Sequence, residues 1–178
     1  ALVTPSLNQG EFLERAMRSV LEQDYPALDY VVMDGGSADS SVDIIRRYAD
    51  QLHDWVSGSD AGQSAAINAG FAKSSALIMG WLNADDRLLP GALHAVGRYF
   101  AQHPDSQWLA GRGLIEERRH GLAVRSEPCG PRALAFDLLC SDTEQTVPQP
   151  SVFWRRSLWN QVGGLDESLH LAMDFDLW

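Results

Sequence analysis

Four short runs of strand-forming residues, each closed by a polar turn and followed by a helical pattern, constrain this chain more than any other feature. Leu2-Val3-Thr4 is the first and is broken by Pro5. Glu11 to Gln23 then sets Phe12, Ala16 and Val20 beside Leu13, Met17 and Leu21 at helical spacing. Tyr30-Val31-Val32-Met33 is continuously apolar, as a strand buried on both faces must be. It stops at Asp34-Gly35-Gly36-Ser37, after which Asp39 or Ser40 can cap a helix. Asp54 to Ser57 is a weaker strand, and Gln63 to Lys73 reads as a helix. Ala76 to Leu82 is a further buried strand, ending at Asn83-Ala84-Asp85-Asp86, and Pro90 suits the first turn of the next helix. Repeated strand–helix–strand units predict an α/β fold: a mostly parallel sheet with helices on both faces. Ligands bind such sheets at the carboxyl ends of the strands, so three of the polar turns, Pro5-Ser6-Leu7-Asn8, Asp34 to Ser37 and Asn83 to Asp86, should converge on one crevice.

The second half is less regular. Trp108 to Ile115 predicts a strand, with Gly121 to Val124 able to pair with it as a hairpin and Arg118-Arg119-His120 at its polar tip. Pro128 to Pro150 reads as loop with a helical stretch at Ala133 to Leu139. Ser151 to Trp154 predicts a strand, followed by a helix from Arg156 to Val162 that Gly163-Gly164 ends. Trp154, Trp159 and Trp178 are expected in the core, and the five histidines, which lack ligand-like spacing, are expected mostly to face solvent. The expected organisation is a single domain over 1–178, with a regular half over 1–105 and a smaller, irregular half over 106–178.

Charge narrows the partners. A formal net charge of -10 argues against nucleic acid or an anionic membrane surface, either of which selects a basic face. A phosphorylated small molecule is still allowed, because a divalent cation can stand between carboxylates and phosphate oxygens. Cys129 and Cys140 match no metal-ligand spacing and are expected as reduced thiols in a cytosolic setting. No apolar run approaches the ~20 residues that span a bilayer, and no signal peptide is visible. Ala1 is not an initiator Met, and Ala1-Leu2-Val3-Thr4 reads as a strand already under way, so the chain is expected to be a piece of a longer protein.

Asp85-Asp86 is the sharpest chemical feature. Two adjacent carboxylates at a strand end repel each other, and Mg²⁺ or Mn²⁺ relieves that repulsion while bridging to substrate phosphates. One of the pair could instead cap the following turn. Asp34 can accept a hydrogen bond from a base or ribose, with Gly35 and Gly36 allowing close backbone approach, or can simply close its turn. Asp174 or Asp176 can serve as a general base toward an acceptor hydroxyl, or both can favour a helix N-terminus. No G-x-G-x-x-G or G-x-x-x-x-G-K-[ST] string is present, and Ser6 and Ser37 lack a nucleophile-elbow context.

Taken in order, these strings resemble glycosyltransferase family 2, the inverting group with the GT-A fold. Thr4-Pro5-Ser6-Leu7-Asn8, Val32 to Asp39, Ser59-Asp60-Ala61-Gly62-Gln63 with Asn68-Ala69-Gly70, and Leu82 to Asp86 carry the resemblance in the first half. Gln149 to Phe153, Gly163 to Glu167 and Asp174-Phe175-Asp176-Leu177-Trp178 carry it in the second. The resemblance implies a three-layer α/β/α fold and transfer of a sugar, with inversion, from a nucleoside-diphosphate sugar to a glycan or lipid-linked acceptor. It implies a cytoplasmic setting, at the inner face of the membrane, and a place in surface polysaccharide or glycan synthesis. Thr4, Pro5 and Ser6 would line the base and ribose pocket, Asp34 would bind the base, and Asp60 would close it. Asp85 would contact the ribose or sugar, with Asn83 among the substrate-binding residues. Asp86, with Asp85, would hold Mn²⁺ or Mg²⁺, and Asp174 would be the base. Gly35 stands where many relatives carry a second acid, Asn83 replaces the first acid of D-x-D, and Met173 replaces a common Glu.

Two other readings share the sheet. A sugar-phosphate nucleotidyltransferase usually has a Gly-rich basic loop after its first strand, which Pro5 to Gly10 is not. A non-catalytic nucleotide-sugar-binding module would have no use for both Asp86 and Asp174.

Overall fold

The computed structural model of the chain describes residues 1–119, 122–129, 147–169 and 173–178. The helical stretch expected at Ala133 to Leu139, and Cys140, His120 and His170, lie outside them. The first half alternates strictly: β1 (Leu2–Ser6), α1 (Gly10–Leu21), β2 (Tyr30–Asp34), α2 (Ser41–Tyr48), β3 (Asp54–Ser57), α3 (Gln63–Ala72), β4 (Ile78–Trp81) and α4 (Ala92–Gln102). There follow β5 (Trp108–Ala110), β6 (Gly113–Arg119), β7 (Leu122–Cys129), β8 (Val152–Arg155), α5 (Arg156–Val162) and α6 (Met173–Leu177).

Six strands form one sheet in the order β3-β2-β1-β4-β8-β5. β1, β2, β3 and β4 run parallel, whereas β8 is antiparallel to both β4 and β5. The chain steps outward from β1 to β2 to β3, then returns through α3 to lay β4 on the other side of β1. The direction of winding therefore reverses between β1 and β4, the place where such sheets open a ligand crevice.

Side-chain alternation divides the interior into two layers. Leu2, Tyr30 and Val32 face one way, onto Leu13, Met17 and Val20 of α1, Ile44 and Ile45 of α2, and Leu93 and Phe100 of α4. Val3, Val31 and Met33 face the other, onto Ala66, Ile67 and Phe71 of α3 and Met173 of α6. The three-layer α/β/α arrangement expected from the alternation is thus present. Gly70 lets α3 lie close on β1, since a Cβ there would stand 2.6 Å from Val3 Cγ1. Val152 and Trp154 of β8 join the same layer as Val3 and Met79, so the two halves of the chain share a core.

Two local expectations need correction, and one alternative is decided. Trp108 to Ile115 is not one strand. β5 ends at Ala110, Gly111 N–H donates to Ser151 O at 2.9 Å, and the chain then leaves the sheet to build β6, which pairs with β7 as a separate hairpin. Pro90 does not open α4, because Gly91, in the left-handed region at φ 78, separates it from the first helical residue. Of the two caps expected for α2, Asp39 is the one that supplies the side-chain acceptor, taking the Ser41 N–H at 2.9 Å.

Candidate active site

The carboxyl ends of β1, β2 and β3 lie in register, with Ser6 opposite Asp34 and Asp34 opposite Ser57. Asp34 is buried and its carboxylate is a hub for its own turn. It accepts from Gly36 N at 3.1 Å, Ser37 N at 3.0 Å, Ser57 Oγ at 2.7 Å and the Ser37 hydroxyl. The loops after β1 and β2 are tied together. Asn8 N–H donates to Ser37 Oγ at 2.7 Å, Asn8 Oδ1 accepts from Ala38 N at 2.9 Å, and Asp39 Oδ2 accepts from Gly10 N at 2.8 Å. Asp60 joins this group from beyond β3: a Cβ on Gly35 would stand 3.0 Å from Asp60 Oδ2. Glycine at position 35 leaves the space that Asp60 fills.

Thr4, Pro5 and Ser6 are buried within β1. The Thr4 hydroxyl shares a 3.0 Å hydrogen bond with the Tyr30 hydroxyl in the interior, so its side chain faces the core layer and not the crevice. Ser6 sits at the strand end beside Asp34, and its carbonyl accepts from Gly35 N at 2.8 Å.

The turn after β4 carries the acidic pair. Asp86 N–H donates to Asn83 O at 3.1 Å, closing a four-residue turn that leaves Asp85 exposed and Asp86 half-buried. Burial first, and the neighbouring Asp85 charge second, push the Asp86 carboxyl up to about 6, against a hydrogen bond from Asn83. Asn83 Nδ2 donates to Gln149 Oε1 at 3.2 Å and, at a long 3.5 Å, to Asp86 Oδ2. Its Oδ1 accepts from Gln63 Nε2 at 2.8 Å, and Gln149 Nε2 donates to Trp81 O at 2.9 Å. Gln63 and Gln149 had no assigned role on sequence grounds. The contribution of Gln149 depends on β8 lying beside β4, a long-range pairing without local signal, whereas Gln63 reaches Asn83 from the start of α3. Among the described residues, no three or more His, Cys, Asp or Glu side chains gather as a self-sufficient metal cage.

Asp174 is half-buried at the start of α6, whereas Asp176 is exposed. Two contacts fix this short helix. Met173 is buried and its sulfur accepts from Ser64 Oγ at 2.9 Å, at the start of α3. At the other end, Trp178 N–H donates to Asp174 O at 3.0 Å, and its indole stacks on Trp81, the last residue of β4. A small cleft of about 40 Å³ lies between Gly62, Gln63 and Ser64 on one side and Glu167, Leu169 and Met173 on the other. The Asp85–Asp86 turn and the Asp174 helix are thereby both anchored to Trp81. Trp154 is buried as expected, while Trp159 and Trp178 are half-buried. His53 and His103 face solvent as expected, but His94 is half-buried against Tyr25, its Nε2 2.9 Å from Gln23 O.

An uncharacterized glycosyltransferase of Mycobacterium tuberculosis (strain H37Rv) is 30% identical over 98% of this chain and 65% of its own length. The chain spans between 32% and 66% of the length of the curated relatives it matches. The fold is similar to that of S. aureus TarS 1-349 in complex with UDP-GlcNAc (TM-score 0.71, 18% identity, 99% of this chain, 51% of that one). It is also similar to that of the mannosyltransferase PcManGT of Pyrobaculum calidifontis in complex with GDP-Man and Mn²⁺ (TM-score 0.68, 19% identity, 94% and 47%). Among the described residues no helix is long and apolar enough to cross a membrane. The sequence profile of Glycosyl transferase family 2 matches residues 1–159, and the chain belongs to that family.

Proposed function

We propose that the chain transfers a sugar from a nucleoside-diphosphate sugar to an acceptor hydroxyl, with inversion, aided by a divalent cation at Asp86 and Asp85. The observation that carries this reading is the acidic turn Asn83–Asp86, set at the reversal point of the sheet beside the polar ends of β1 and β2. UDP-GlcNAc and GDP-Man bound to the two similar folds support a nucleotide sugar, and the Mn²⁺ beside GDP-Man supports a metal.

The residues present fit a hard cation. Asp86 is a carboxylate whose ionised form is disfavoured by burial and by Asp85, and an adjacent dication reverses that preference. Asp86 would hold the ion with Asp85, and when bound it would neutralise charge gathering on the departing diphosphate. The loop of Asp34, Gly35, Gly36 and Asp60 lines the nucleoside end, with Asp34 holding backbone in place and Ser6 beside it. The exposed Asp85 contacts the ribose or sugar, with Asn83 beside it in the same turn. Asp174 takes the proton from the acceptor hydroxyl. The freed oxygen attacks the anomeric carbon on the face opposite the diphosphate, whose bond to that carbon breaks, so configuration inverts. Residues 1–105 serve as the nucleotide-sugar half and 106–178 as the acceptor half. A glycan or lipid-linked acceptor, a role in surface polysaccharide or glycan synthesis, and a cytoplasmic setting at the inner face of the membrane rest on the family resemblance alone.

A thermal-shift panel of UDP, GDP and dTDP with and without Mn²⁺ tests the reading, since ligand binding to the folded state raises the melting temperature by mass action. At least one diphosphate should stabilise the protein more in Mn²⁺ than in EDTA. No shift with any diphosphate in either condition contradicts it.

A further inference from the structure

We infer that Gln149 is a positioning residue for the Asn83–Asp86 turn, and that it sets the direction of the Asn83 amide so that position 83 presents a hydrogen-bond donor, and not a ligand, to Asp86. This rests on the proposed metal-assisted reading of the turn.

The inference follows from which groups can only accept. A primary amide has one accepting end and one donating end, and neighbours decide which way it points. Trp81 O, at the end of β4, is a carbonyl and takes only the Gln149 Nε2 end, at 2.9 Å. That choice turns Gln149 Oε1 toward Asn83, which must answer with Nδ2, at 3.2 Å. Asn83 Oδ1 is then directed at Gln63, which donates Nε2 at 2.8 Å. The same Asn83 Nδ2 faces Asp86 Oδ2 at 3.5 Å. Every amide in the relay Trp81–Gln149–Asn83–Gln63 has one orientation that satisfies it, and that orientation points a donor at the Asp86 carboxylate. Gln149 enters the chain just before β8, so the second half of the chain holds the acidic turn of the first.

A consequence separates this relay from ordinary packing. Asn83→Asp would restore the acid of a D-x-D pattern, yet it would set a carboxylate against Gln149 Oε1 and Asp86 together. It should therefore weaken metal-assisted binding instead of adding a ligand. Gln149→Met keeps the side chain's length and removes both hydrogen bonds.

The test is isothermal titration of UDP and GDP, in Mn²⁺ and in EDTA, into the wild type, Gln149→Met and Asn83→Asp, with melting temperatures taken in parallel. Partners that orient metal ligands are typically worth roughly 10–100-fold in affinity. Gln149→Met should lose a factor of that order from the Mn²⁺-dependent affinity, leave affinity in EDTA within about twofold, and still unfold cooperatively. Asn83→Asp should lose at least as much. A wild type with a Mn²⁺-dependent step that Gln149→Met leaves intact, or that Asn83→Asp strengthens, overturns the relay and spares the functional reading. Equal losses in Mn²⁺ and EDTA also overturn it, because they report a general structural role. A wild type without any Mn²⁺-dependent step overturns the metal assignment and the relay with it.

Discussion

Trp178 stacks on Trp81 with ring centroids 5.6 Å apart and planes 12° from parallel, joining the end of the last helix to the strand that carries the acidic turn. Trp178 also lies over Trp108, at 6.3 Å and 26°. Trp81 stands two residues before Asn83, and Trp178 is bonded through its N–H to Asp174 O. One aromatic contact therefore couples the candidate base to the candidate metal turn.

Removing that contact should uncouple them. Trp178→Ala loses a half-buried indole and its aromatic pairings, worth about 1–3 kcal/mol. We expect a lower melting temperature and a fall in turnover larger than the fall in nucleotide affinity, with Trp178→Phe retaining most of both. Steady-state kinetics beside calorimetric nucleotide binding checks this. A Trp178→Ala protein with unchanged turnover would show that α6 is held otherwise.

The Asp86 carboxyl gives a pH prediction. Its ordinary value is 3.8 and burial beside Asp85 raises it to about 6 in the folded chain. Between those values the folded state holds a proton that the unfolded state has lost, so this group's contribution to stability declines as pH rises through the window. Asp86→Asn removes that penalty. In EDTA it should melt above the wild type at pH 7, by roughly 2–4 °C if about 1 kcal/mol survives solvent screening, and level with it near pH 4. The same variant should lose Mn²⁺-dependent nucleotide binding. Melting curves across pH 4–7.5 decide the first point, and a variant less stable than wild type at pH 7 would contradict it.

Asp174→Asn should separate binding from chemistry. Nucleotide affinity in Mn²⁺ should stay within about twofold, while turnover falls by roughly 10²–10⁴-fold, the usual worth of a positioned base. Wild-type rates in this variant would move the base elsewhere, and the exposed Asp176 would be the next residue to replace.

Gly35 and Asp60 form a coupled pair. A Cβ at position 35 would stand 3.0 Å from Asp60 Oδ2, so Gly35→Asp adds both crowding and a like charge. We expect Gly35→Asp to lower stability by about 1–2 kcal/mol and to weaken nucleotide binding. Asp60→Asn in the same chain should recover part of the stability. Additive losses in the double-mutant cycle would show that the two positions do not communicate.

The parts legible in the sequence were those with a local physical signature. β2 and β3 were readable from their composition and bounding turns, and α1 and α3 from helical spacing. The Asp34 and Asp85–Asp86 turns were readable because polar residues interrupt apolar runs. The burial of Thr4 was not legible, since only the neighbouring strand reveals that its hydroxyl meets Tyr30. Nor was the insertion of β8 between β4 and β5, because antiparallel pairing over such a separation leaves no periodic trace. Gln149 follows from that insertion, which is why a residue so ordinary in sequence becomes a partner of the acidic turn. Spacing alone could not choose between Asp174 and Asp176. The contacts of Met173 and Trp178 give Asp174 the half-buried position and leave Asp176 in solvent.

A crystal soaked with Mn²⁺ and the nucleoside diphosphate that binds most tightly, recorded for manganese anomalous scattering, tests the central claim most directly. The expected result is one strong peak at coordination distance from an Asp86 carboxylate oxygen, with the diphosphate on its far side and the nucleoside reaching the Asp34 loop. A peak at another carboxylate cluster, or a nucleotide bound away from the Asn83–Asp86 turn, would contradict it.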